Sequence, residues 1–543
     1  MTNVMIRSYV IPMAVTGSLL TACAGDDTFE VTEGFFGATA AEEPRAALVA
    51  RDVLVAGGSA ADAAVAMYFT LAATLPSSGG LSANGSCLSF QPAKGRVVTP
   101  FSTDRSGPDG VKNPPFELLS FPPQPGSTQG PTVAIPLGPR AMFALHAKYG
   151  RLTFEELLAA GERLARFGAP VSKAFATDLA LDGAVLESDF PASRVFLRGG
   201  RPLDQEDGLT QLDLAATLGR IRGEGIGSLY SGGLAHSFIE AAEQAGYRVD
   251  PDRMRNALPT ITTAQGVIHD DHIWAVAAAN SADLALGQVA YDLILDGAEW
   301  SSNKAENQST LGRALMAASD ITADGTASIG EDAAELAMGQ TPAGLSPAPT
   351  GASARLAKTL GVRATPSSGA TAFYAVDRTG MGVVCAIGLG APFGTGKMAP
   401  GLGMMFGAPV AETGDGPGAF ALMVANTNAN QLHMTAYGTG GRSALSALIT
   451  ATLDHWAGGD GPEAAAAAPR SHPAAGSGGL AVERAMPPAV TQSLEGLGWR
   501  TEPLPTLGQA ELFRCVDGIP RRDLRCQQGT DPRSLGLTFF ESQ

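Results

Sequence analysis

Gly57-Gly58-Ser59-Ala60-Ala61-Asp62-Ala63-Ala64-Val65-Ala66 is the stretch around which the rest of the chain is organised. It lies inside a helical pattern, 46–73, that breaks at the paired glycines and resumes at Asp62 with an Ala/Val-rich face. A helix of that texture is buried rather than laid on a surface. Pro76-Ser77-Ser78-Gly79-Gly80 ends it. Two strands are expected next, 87–91 and 96–100, turning at Ala93-Lys94-Gly95. Helical periodicity then dominates through 139–149, 154–167, 212–223 and 228–245. Residues 322–368 are rich in Ala, Gly, Pro, Ser and Thr and read as a flexible, cleavable linker.

Beyond the linker the period changes from helix to strand. Residues 371–376 alternate, Asp377-Arg378-Thr379-Gly380 turns, and 382–389 alternate again, which is a hairpin. Further on, 434–437 leads into Gly438-Thr439-Gly440-Gly441-Arg442 and a helix over 444–456. A glycine turn feeding a helix start leaves backbone N–H groups to face an anion or a developing oxyanion.

The chain has 543 residues, 45% of them hydrophobic, with 67 Gly, 36 Pro and a formal net charge of −16. It is globular in composition and long enough for two to four domains. Its acidity and lack of Lys/Arg runs exclude nucleic acid as a partner, which requires basic patches. At the N-terminus Arg7 precedes an apolar run, 9–20, too short to span a bilayer. The run ends in Leu20-Thr21-Ala22-Cys23, the pattern of a bacterial lipobox. Residues 1–22 are therefore expected to be a signal peptide, Cys23 the lipidated residue, and 23–43 a tether. Ala24, rather than Asp, follows Cys23, so the expected place is the cell envelope, facing the periplasm, on the outer rather than the inner membrane.

Export puts the other four cysteines in an oxidising space. Cys515 and Cys526 flank a Gly/Pro turn and are expected to form a hairpin disulfide, while Cys87 and Cys385 sit in apolar runs as inert core thiols. His269-Asp270-Asp271-His272 suits a solvated turn rather than a metal site, and no metal is expected.

Taken in order, these segments resemble the γ-glutamyltransferase family of N-terminal-nucleophile hydrolases. The opening stretch is similar to its G-G-N-A-x-D-A-A-V-A helix, and Pro76-Ser77-Ser78-Gly79 to its P-x-S-S-G turn. Val133-Ala134-Ile135-Pro136, His146 to Leu152, Leu212-Asp213-Leu214-Ala215, Pro392-Phe393-Gly394-Thr395-Gly396, Ala468-Pro469-Arg470 and Asp531-Pro532-Arg533-Ser534 follow in family order. The resemblance covers about residues 30 to 540 and implies an α+β, four-layer αββα fold. Residues 44–321 would correspond to the large subunit and 369–543 to the small one. It also implies a γ-glutamyltransferase or glutathione-hydrolase activity on γ-glutamyl or related small amides, without metal or organic cofactor. There a threonine freed by autocleavage attacks the amide, using its own amine as base.

Counted without gaps from Asp377, the position of that threonine is held by Ala370, and Thr371 falls one place later. Thr371 is the candidate nucleophile if the strand slips by one residue. Gly440 and Gly441 are the candidate oxyanion donors, and Arg105 the candidate anchor for a substrate carboxylate. Gly388 and Gly390 stand where the family has a supporting Thr and Asn, 407–411 replaces its acidic N-N-x-M-D-D-F segment, and its S-S-M-S-P serines correspond to 422–426, where no serine stands. The alternative expectation is a non-catalytic envelope lipoprotein that uses the same scaffold to bind a ligand or partner.

Overall fold

The computed structural model describes residues 35–92, 116–297, 299–323, 369–409, 418–426, 428–474, 479–521 and 524–542. Cys23, Arg105, the strand expected at 96–100 and all but the first two residues of the expected linker lie outside them. Two antiparallel sheets stack face to face. The first has seven strands in the order Leu537–Ser542, Phe35–Ala41, Ala370–Asp377, Gly382–Gly388, Asn84–Phe90, Phe116–Phe121 and Thr260–Thr263. The second runs Cys526–Gly529, Gln509–Ile519, Gln431–Thr439, Phe420–Asn426, His272–Ala278 and Gly266–His269. Alternation sends Ala372, Tyr374, Val384, Ala421, Met423, Tyr437 and Phe513 into a core between the sheets. Their neighbours Phe373, Ala375, Val383 and Ile387 pack under Pro44–Val55 and Ala60–Thr74, while Trp274, Leu422 and Ala436 pack under Ser281–Gly297, Lys304–Ala323 and Ala444–Trp456. Helix, sheet, sheet, helix is the four-layer order expected.

Several local expectations are refined. The 46–73 helix is two helices, because Ser59 caps the second: it accepts from the Asp62 N–H while Asp62 accepts from the Ser59 N–H. All fifteen residues of Ala60–Thr74 are buried, which explains its small side chains. The 228–245 helix divides at Gly232, whose backbone is extended and which leaves no room for a Cβ against Ser228. Phe35–Ala41, assigned to the tether, is instead an interior strand of the first sheet, since its small residues fit between two neighbouring strands. Helix Lys304–Ala323 overruns the expected linker start by two residues.

The inert-thiol reading of Cys87 and Cys385 is corrected. Their strands pair with the two cysteines directly opposite, and they form a disulfide. A second disulfide joins Cys515 to Cys526, also directly opposite each other. Asp270 and Asp271, both at positive φ, make the two-residue turn of the hairpin from Gly266 to Ala278.

Candidate active site

The hairpin that begins at Ala370 sets the geometry. Gly369 leads into it at φ +68°, and a Cβ there would collide with the Ala391 carbonyl, so only glycine fits. Ala370 pairs with Gly388 and joins Ala372 and Tyr374 in the core between the sheets. Thr371 belongs to the other alternation class. It is fully buried, and its hydroxyl is turned toward the Glu42 carboxyl. Gly388 approaches the Gly369 carbonyl so closely that an added Cβ would lie 2.8 Å from it, and one on Gly390 would lie 2.6 Å from the Ala408 carbonyl. The backbone thus fills the space where larger side chains would stand.

Sequence reasoning missed the residue that ties this strand to the second sheet. Glu42 leaves the end of Phe35–Ala41 and reaches across the sandwich, where Thr439 Oγ1 donates to its Oε1 at 2.6 Å and Gln509 Nε2 donates to the same oxygen. Gln509 also donates to Thr439 Oγ1 at 3.0 Å. Burial pushes the Glu42 carboxyl above its usual range, against which these donors, Thr371 and the Ala372 N–H pull the other way. Its neighbour Glu43 does something else, capping the helix that starts at Pro44 by accepting from Ala46 N. Two successive acids before a proline, only one of them needed as a cap, were the available signal. Glu511 and Tyr437 extend the polar patch. Burial raises both, and Glu511 Oε2 and the Tyr437 hydroxyl find no partner among the described residues.

Thr439 carries this patch directly to the glycine turn. Gly440 (φ 104°, ψ 40°) and Gly441 (φ 73°) bend the chain from the strand into the Ala444–Trp456 helix, both at angles glycine adopts freely. Gly418 packs against the Gly441 backbone, leaving no space for a side chain of its own. Behind them Asp283, almost fully buried, accepts from Asn280 Nδ2 at 2.7 Å. Burial pushes its carboxyl up to about 6, moderated by Asn280, the Gly418 N–H and the charge of Arg442. The structure thus brings Ala370, Thr371, Glu42 and the turn at 440–441 together at one end of the sandwich.

Other motif residues hold the scaffold. Asp377 accepts from Thr379 N (2.8 Å), Thr379 Oγ1 (2.6 Å) and Ala60 N (3.3 Å), fixing the hairpin turn to the start of the buried helix. Asp62 accepts from Arg151 N at 2.9 Å. Arg470 and Asp531 form a fully buried pair at 3.0 Å, and Arg533 bonds both Asp531 (2.8 Å) and Glu483 (2.5 Å).

The family model for gamma-glutamyltranspeptidase matches residues 46–415, well over half the chain. The chain belongs to the gamma-glutamyltranspeptidase family. The glutathione hydrolase proenzyme of Bacillus subtilis (strain 168) is 28% identical over 252 residues, 46% of this chain and 41% of that protein. The glutathione hydrolase proenzyme of Escherichia coli (strain K12) is 28% identical over 267 residues, 44% of each chain. The alignments therefore span less than half the length of these relatives. Among solved structures, a cephalosporin acylase from Bacillus halodurans superposes with a TM-score of 0.75 at 18% identity, covering 99% of both chains. A second, described as LmbA2991T421A, gives 0.69 at 17%, covering 94% of this chain and 99% of its own. Over nearly the whole molecule the fold is that of the cephalosporin acylase.

Proposed function

We propose that this chain is a family member that remains uncleaved and binds a small amide or amino-acid-like ligand between its sheets without forming an acyl-enzyme. One observation carries the reading: the strand begins with Ala370 turned into the inter-sheet core, so no hydroxyl stands there to attack. Autocleavage in this class needs that hydroxyl, because it starts the N→O acyl shift that frees the amine. The closely approached backbone at Gly388 and Gly390 supports the same conclusion, since side chains to steady a substrate have no space there. The relatives are named as proenzymes; this chain, on our reading, never cleaves itself. We also propose that Cys23 carries the lipid that holds it in the envelope.

The enzyme reading draws on a different observation. Thr371 is fully buried, with its hydroxyl turned toward the Glu42 carboxyl. A slip of one residue would make it the nucleophile. Purified mature protein on a reducing, denaturing gel decides between the two. A single full-length band with no amine released from a γ-glutamyl anilide is the expected result. A small fragment whose N-terminal sequence begins at Thr371, with turnover, would establish the enzyme instead.

A further inference from the structure

On the helix-facing side of the second sheet, Arg514 lies over the Trp456 ring with its guanidinium carbon 3.7 Å from the centroid. Its Nε and Nη1 are buried and make no hydrogen bond among the described residues. Burial lowers its pKa to about 10, and no acid among the described residues offsets that cost. A guanidinium with two nitrogens held out of water and no counter-charge among the described residues is an unfavourable arrangement that a bound anion would relieve.

The surroundings are built of groups with unused hydrogen-bonding capacity. His272 packs edge-on to His433 at 4.6 Å and to Trp456 at 5.0 Å, and Trp274 packs on Trp456 at 5.0 Å. His272 Nδ1 lies 2.6 Å from the Asp270 carbonyl and His455 Nδ1 lies 2.8 Å from the Asp460 carbonyl. Those carbonyls fix Nδ1 as the protonated nitrogen, so each Nε2 holds a lone pair until the ring takes a second proton. Both Nε2 atoms, and Trp274 Nε1, are buried without a partner among the described residues. The Arg514 charge, after burial, helps keep His272, His433 and His455 neutral. The acids nearby are engaged elsewhere: Asp517 with Arg525 and Arg521, Asp460 with Lys304, and Asp270 with His269. Asp271 is exposed in the turn.

We propose that this cluster binds a small oxyanion, a sulfate-like or carboxylate group seated against Arg514 and the His272 and His455 rings. The bound charge offsets Arg514, which lets an imidazole take up a proton and donate Nε2–H to the same anion. Binding is therefore tighter at lower pH. This site lies apart from the one between the sheets and does not depend on how that one works.

The test uses the purified full chain at constant ionic strength, titrated with sodium sulfate or sodium acetate at pH 6 and pH 8 while its thermal unfolding midpoint is followed. A saturable rise at millimolar anion, larger at pH 6, is expected. Response to sulfate alone identifies a tetrahedral ligand, and response to acetate a carboxylate. Arg514→Gln should lose the response and, in anion-free buffer, melt at or above the wild-type midpoint, because an unpaired buried charge has gone. An equal response in Arg514→Gln, or none to either anion in the wild type, overturns the proposal. If the variant does not fold, the wild type alone decides: a response that is the same at both pH values is fatal.

Discussion

Asp283 is a carboxyl that the fold holds in its less comfortable state. Its pKa rises from 3.8 unfolded to about 6 folded because burial penalises the charge. Between those values the native state binds more protons than the unfolded chain, so stability is lost as pH rises through about 4 to 6. Above that window the ionised carboxylate costs about 3 kcal/mol. Asp283→Asn should therefore leave the urea midpoint nearly unchanged at pH 4 and raise it at pH 7.5. Equal displacement at the two pH values would show that burial of charge is not the cause. The residue was not legible beforehand, and neither was Glu42, for one reason: their roles depend on partners far along the chain. Thr439 and Gln509 are 397 and 467 positions from Glu42. No window of local sequence contains such a contact, whereas Gly440 and Gly441 announce their turn by themselves.

At the scale of elements, local periodicity was a good guide. The helix at Phe154–Phe167 and the hairpin joining Ala370–Asp377 to Gly382–Gly388 follow from spacing alone, because each satisfies its hydrogen bonds within itself or with its neighbour. The pairing of Cys87 with Cys385 was invisible because it depends on the register of two strands distant in sequence. The same hairpin yields a prediction. Gly388→Thr would force a Cβ against the Gly369 carbonyl and Ala370, and Gly390→Asn against the Ala408 carbonyl. Each should destabilise the protein by about 1–3 kcal/mol as the backbone shifts to make room. Denaturant unfolding of the two variants measures this. Wild-type stability in both would mean that the backbone there yields and that larger side chains can stand at this end of the sandwich.

Seen whole, the molecule is not two bodies joined by a linker. The first sheet interleaves strands from before and after 324–368: Phe35–Ala41 lies beside Ala370–Asp377, and Gly382–Gly388 beside Asn84–Phe90. Large-subunit-like and small-subunit-like regions share one core and fold together. The anchor proposed for this body is acyl chains on Cys23, since binding energy grows with each buried methylene. Cys23→Ser should move the protein from the membrane to the soluble fraction, or leave it with its signal uncut. Membrane fractionation with normal signal removal in that variant would defeat the lipid assignment.

The Cys87–Cys385 bond gives this interleaving a topological counterpart. It spans 298 positions and closes the backbone between them into a covalent ring. All of 324–368, and the peptide bond before Ala370 or Thr371, lie inside that ring. One cut there opens the loop but releases no piece, and a free peptide appears only after two cuts or after the sulfurs are reduced. Under oxidising conditions a nicked chain and an intact one therefore have the same covalent mass apart from one added water, and only reduction separates the halves.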